Sequence, residues 1–116
     1  MITNLPASVW MKQDLSEYQI FDVRTPAEWE EGVLPHAEWE EGVLPHAECV
    51  ALYDNHGLLN ANFLEEFQAR RNENKKLAFI CRGGHRSMMA ANFIKNELGL
   101  ESVNLDGGML ALKGLI

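Results

Sequence analysis

Apolar residues along this chain fall in two alternating patterns, short solid runs and helical stripes. Tyr18-Gln19-Ile20-Phe21-Asp22-Val23, Lys76-Leu77-Ala78-Phe79-Ile80 and Ser102 to Leu105 are compact runs of strand length, and Ala47 to Leu52 is a weaker one. Helical segments separate them. Pro6 to Gln13 reads as a short helix with Val9 and Trp10 as core contacts. Thr25-Pro26-Ala27-Glu28 has the form of a capping box with proline at the first helical position, and Gly32 can close that helix. Asn60 can cap a helix reaching Arg71, with Phe63, Leu64 and Phe67 on one face. Ser87 to Leu98 is a further helix, stopped at Gly99. Strands and helices in this alternation predict an α/β fold, a parallel sheet of about five strands with helices on both faces and Lys76 to Ile80 at its centre. Ligands of such sheets bind beyond the carboxyl ends of the strands, where Asp22 and Cys81 both fall.

The 116 residues suffice for one domain, spanning 1–116, with a single core. Apolar content of 47% and charged content of 23% are ordinary for a globular protein. A net charge of −7, with no basic run, argues against nucleic-acid binding. No 18-residue apolar run is present, so no membrane span is expected. The first residues lack a basic and then apolar leader pattern, and two cysteines make no disulfide framework. A cytoplasmic, reducing setting is therefore the expectation.

One feature departs from an ordinary domain. Residues 27–36, Ala-Glu-Trp-Glu-Glu-Gly-Val-Leu-Pro-His, are followed at 37–46 by the same ten, and the identity runs on through Ala47-Glu48. Two units of ten cannot build a stacked solenoid. Such identity suggests a recent or deliberate insertion into a shorter parent, each copy bringing three glutamates. Copy one follows Asp22-Val23-Arg24 and owns the Thr25-Pro26 cap; copy two leads into the strand at Ala47. The simplest fold takes its helix from copy one and a Gly42-Val43-Leu44-Pro45 turn from copy two, leaving 32–41 as surplus. A second helical turn over Ala37 to Glu41 is an alternative, weakened because His36 is a poorer cap than Thr25. Val33, Leu34 and Trp39 then become a hazard, able to form a sticky patch or a swapped dimer.

The chemistry concentrates in Cys81-Arg82-Gly83-Gly84-His85-Arg86-Ser87. A strand ends in a thiol, glycines let successive N–H groups converge on it, and a helix begins beside it. Backbone donors, a helix N-terminus and two guanidiniums all favour thiolate over thiol. A free cysteine is more often a small buried hydrophobe. Gly83, Gly84 and the two arginines weigh against that reading here. A phosphatase-type cradle needs five residues between cysteine and arginine, whereas four separate Cys81 from Arg86. Cys81 and His85 have no second ligand pair at metal spacing, so no metal is expected. Cys49 reads as a buried strand residue more readily than as a resolving thiol.

These residues carry a resemblance. Asp22 to Trp29, Gly42-Val43-Leu44-Pro45-His46-Ala47, Cys81 to Ser87 and Leu105-Asp106-Gly107-Gly108 together resemble the motifs of the rhodanese-like domain, over nearly the whole chain. His46 stands where that family usually has glycine, and Leu112 where it usually has tryptophan, which implies a loosely packed last helix. The ten-residue insertion has no place in the family pattern. The resemblance implies a sulfurtransferase without a cofactor. In that reading Cys81 takes sulfane sulfur from a small donor such as thiosulfate as a persulfide, then yields it to a thiol or to cyanide. It also implies that Arg82 and Arg86 hold the donor's oxyanion, Arg86 foremost, with loop N–H groups solvating the persulfide. His85 would add a proton-dependent donor or simply solvate the loop. Asp22 and Arg24 would brace the loops, since a carboxylate beside the thiolate would oppose its ionisation. A cysteine-dependent phosphatase or arsenate reductase, and a non-catalytic sulfur carrier or binding module, stand as the alternatives.

Overall fold

The computed structural model describes residues 2–30, 37–39, 42–44 and 47–112. A five-stranded parallel sheet forms the centre, in the order β1 (Ile2–Leu5), β7 (Ser102–Leu105), β6 (Lys76–Ile80), β2 (Tyr18–Asp22), β5 (Glu48–Cys49). The connecting helices are α1 (Ala7–Trp10), α2 (Pro26–Glu30), α3 (Phe63–Arg70), α4 (His85–Leu98) and α5 (Gly108–Leu112). The α/β class and the central place of Lys76–Ile80 follow the sequence. Leu77 to Ile80 are buried without alternation, as a strand covered on both faces must be.

Each face of the sheet has its own core. On one side Phe21, Phe79 and Val23 pack with Phe63 and Phe67 of α3 and with Ala90, Ala91 and Ile94 of α4. The Phe21 and Phe67 rings lie 4.7 Å apart. On the other side Ile20, Ala78, Ile80 and Leu105 pack against Trp10, Leu15, Met109 and Ala111. Chain direction reverses at the sheet's middle: β2 leads outward to β5, whereas β6 leads the opposite way to β7. The carboxyl ends of β2 and β6 therefore flank a switch-point crevice, and Val23 N bonds Ile80 O across it at 3.0 Å.

Several expectations need correction. Pro6 to Gln13 shrinks to the single turn of α1, and Val9 is 46% exposed. Trp10 alone points inward, fixed by its indole N–H donating to Asp106 O at 2.8 Å. Asn60 is not the cap of α3; its amide donates to Ala51 O and its carbonyl accepts from Asn62 N, shaping the loop before the helix. Helix α4 begins at His85, two residues before Ser87, because Gly84 (φ 110°) supplies the left-handed entry. The last helix is not loose: Gly108, Met109 and Ala111 are buried. Strand β1 went unforeseen.

The duplicated copies part company. Pro26–Glu30 is helical as expected, but Ala37–Trp39 forms strand β3, paired antiparallel with β4, Gly42–Leu44. The hairpin replaces both the second helical turn and the Gly42 to Pro45 turn, and it stands as a sheet of its own. Gly32, Val33, Leu34, Pro45 and His46 lie outside the described residues.

Candidate functional site

Cys81 follows directly on β6 and is 1% exposed. Its Sγ accepts the Gly84 N–H at 3.0 Å and lies 3.2 Å from Ser87 Oγ, whose hydroxyl can donate to a thiolate. The N-terminus of α4, fourteen residues long, opens four residues after the sulfur and adds the positive end of its dipole.

The turn into α5 holds this loop from behind. Met109 N donates to Cys81 O at 2.9 Å and Leu110 N to Arg82 O at 3.0 Å. Both carbonyls are thus turned toward α5, and the Gly84 N–H is the backbone donor on the sulfur. The approach is too close for a side chain: a Cβ on Gly108 (φ 52°) would stand 2.2 Å from Cys81 O. A Cβ on Gly84 would stand 2.7 Å from Asp106 Oδ1. Asn104 Nδ2 secures the Gly84 carbonyl at 3.2 Å.

Charged side chains arrive from β2 and α2. Asp22, fully buried, accepts from Arg24 Nε and Nη2, the latter at 2.7 Å, and from the Arg24 backbone N–H. Arg24 Nη1 reaches Glu28 O at 3.4 Å, tying the end of β2 to α2. Glu28 closes the capping box, accepting from Thr25 N and Oγ1 at 3.0 Å each. Its carboxylate also grips Arg86 bidentately, at 2.6 and 2.9 Å. Bonding to Arg86 pulls the Glu28 carboxyl down to about 2 against the opposing effect of burial, with Thr25 N helping. The same bonds raise Arg86 above the ordinary guanidinium range, and the charges of Cys81 and Asp22 add to that.

The structure thus brings together the loop residues Cys81 to Ser87, with Arg82, Gly83 and His85 exposed and Ser87 buried. Asp22 and Arg24 stand behind them as a buried pair. The sequence offered Glu28 only as a cap. Its bond to Arg86, 58 residues on, has no local signature. Asn104 and Gly108 were equally silent, the latter visible only as part of a motif. Cys49 is half-buried on β5. Burial pushes its thiol up, and Asp22 adds to that. It pairs with Asp22, which alternates with Phe21 and Val23 and so faces away from their core, where Cys81 packs. The two thiols therefore belong to opposite faces. As a chemical device the loop can hold a buried sulfur anion at the end of a strand, beneath the exposed Arg82, Gly83 and His85.

Comparison with known proteins agrees with this geometry. The family model for the rhodanese-like domain matches residues 6–114. The Bacillus subtilis protein named "Putative sulfurtransferase YtwF" is 32% identical over 98 residues, 84% of this chain and 76% of that one. An uncharacterised protein of Rickettsia prowazekii is 38% identical over 79 residues, 66% of this chain, which spans only 57% of that relative's length. Rv0390 of M. tuberculosis superposes with a TM-score of 0.71 at 26% identity, covering 91% of this chain and 78% of the other. Fold, loop and sequence converge: the chain belongs to the rhodanese-like domain family.

Proposed function

We propose that this domain is a sulfurtransferase that carries sulfane sulfur as a persulfide on Cys81. The observation that carries the reading is the surroundings of Sγ, with the Gly84 N–H at 3.0 Å and Ser87 Oγ at 3.2 Å. Donors fixed in a buried site stabilise a sulfur anion without reorganising as charge moves. The Cys81 thiolate attacks the outer sulfur of a donor; the donor's S–S bond breaks, and its remaining fragment leaves with the electron pair. An acceptor, a thiol or in an assay cyanide, then attacks the outer sulfur of the persulfide and restores the thiolate. No metal or organic cofactor enters either step. Arg82 and His85, exposed on the loop, meet an anionic donor first, and Arg86 stands deeper. The thiol chemistry suits a reducing compartment such as the cytoplasm.

Exposing the protein to a sulfane-sulfur donor should add the mass of one sulfur atom to the Cys81 peptide, read by mass spectrometry. Cys81→Ser should abolish that adduct and the turnover with cyanide while circular dichroism stays that of a folded protein. Full turnover in the variant overturns the reading. Release of phosphate from an aryl phosphate in its place would establish the phosphatase alternative.

A further inference from the structure

Arg86 does not stand open at the mouth of the loop. Both arms of its guanidinium are taken by Glu28, and the two side chains are only 23% and 21% exposed. We infer that Glu28 is a specificity-determining residue: by occupying the fork of Arg86 it fits the site to singly charged organic persulfides rather than to the thiosulfate dianion. The inference rests on the sulfur-transfer reading above and names its donor class.

The charges around the loop support it. Arg86 is offset by Glu28, and Arg24 by Asp22. Asp106 adds a carboxylate next to Gly84. Of the loop's cations, Arg82 is left at the surface to meet a donor. Attack on thiosulfate gathers three negative charges, one from the thiolate and two from the donor, and expels sulfite with both donor charges. Attack on a persulfide anion, R–S–S⁻, gathers two; the new S–S bond forms to Cys81, the old one breaks, and R–S⁻ leaves with the electron pair. No oxidant or reductant is needed in either case. The Glu28 carboxylate takes one N–H from each terminal nitrogen of Arg86 and offsets its charge, so a sulfonate-like group meets only the remaining Nε edge of a neutralised pair. With Glu28 held at about 2, this pairing persists across the physiological pH range.

Glu28→Gln tests the inference cleanly, because glutamine keeps the capping acceptor for Thr25 while removing the charge that holds Arg86. Rapid-quench mass spectrometry would follow sulfur addition to the Cys81 peptide from thiosulfate and from cysteine persulfide. The wild type should react faster with the persulfide. In Glu28→Gln the thiosulfate-to-persulfide ratio of second-order rate constants should rise about tenfold, and the rise should vanish when Arg86→Gln is added, since Glu28 acts through Arg86. A wild type that prefers thiosulfate, an unmoved ratio, or a rise that survives loss of Arg86 overturns the inference. If neither donor labels wild-type Cys81, the sulfur-transfer reading falls as well; labelling by both with an unmoved ratio removes this inference alone.

Discussion

Glu28 joins two parts of the molecule with one carboxylate. It accepts from the Thr25 backbone and hydroxyl, which starts α2, and from Arg86, which fastens α2 to the reactive loop. That engagement, the bond to Arg86 foremost, pulls its carboxyl from 4.5 down to about 2. In a dry site such a shift would correspond to about 3 kcal/mol, and the solvent that reaches both side chains reduces it to about 1–2 kcal/mol. Because the folded-state value lies below that of the free side chain, the stabilisation is complete above about pH 4.5 and fades as the pH falls toward 2. Urea unfolding at a series of pH values should therefore show a constant gap between wild type and Glu28→Gln above about pH 5, narrowing steadily below pH 4.5. A gap that stays constant down to pH 3 would mean the pair contributes nothing to stability. The neighbouring pair, Asp22 with Arg24, is buried more deeply and serves as a brace, since removing either partner would leave an uncompensated charge inside the protein.

At the scale of elements, Ala-Glu-Trp occurs twice and folds two ways. Ala27-Glu28-Trp29 lies in α2, and Ala37-Glu38-Trp39 is strand β3. Local propensity is identical in the two copies, so context decides. Copy one is preceded by Thr25-Pro26, whose cap is formed, and Arg24 and Arg86 hold its glutamate. Copy two is preceded by Pro35-His36 and pairs with Gly42–Leu44 instead. This marks the boundary of what the chain reveals before folding. The solid runs of β2 and β6, the stripe of α3 and the glycine stop of α4 were legible because each is set by its own residues. The hairpin was not, since it depends on two segments finding each other, and β1 was not, since Ile2 to Leu5 is short and its partner lies 100 residues away. Likewise Cys81 to Ser87 announced a site, while Glu28, Asn104 and Gly108 were assigned to it only by tertiary contact. If the Thr25 cap is what separates the two fates of the repeat, Thr25→Ala should cost about 1 kcal/mol, or roughly 4–8 °C in Tm, and Thr25→Ser should restore most of it. Thermal melts of the three proteins decide the matter; an unchanged Tm in Thr25→Ala would return the choice to the tertiary contacts alone.

Seen as one molecule, the protein keeps the second copy of its repeat off the sheet that carries the chemistry, while the first copy supplies Glu28 to the reactive loop. Cys81 leaves the carboxyl end of β6, and the identity between the copies runs out in β5, whose two residues pair with Phe21 and Asp22 of β2. The β3–β4 hairpin shares no ladder with the five-stranded sheet. Extending such a connection by ten residues costs only about 1 kcal/mol of closure entropy, so an intact domain can tolerate it. The repeat also brings an apolar sequence, Val33, Leu34 and Trp39, beyond what a single copy supplies, and surplus apolar residues favour self-association. Deleting residues 37–46 leaves Thr25 to His36 to supply α2, its cap and one copy of the connection into Ala47. Sulfur transfer to Cys81 should then keep its rate within about twofold, because every group on Sγ and both partners of the Glu28–Arg86 pair remain. Sedimentation should show the shortened chain to be the more uniformly monomeric of the two. A tenfold change in rate, on the other hand, would place the repeat against the reactive loop and give it a part in choosing the donor or the acceptor.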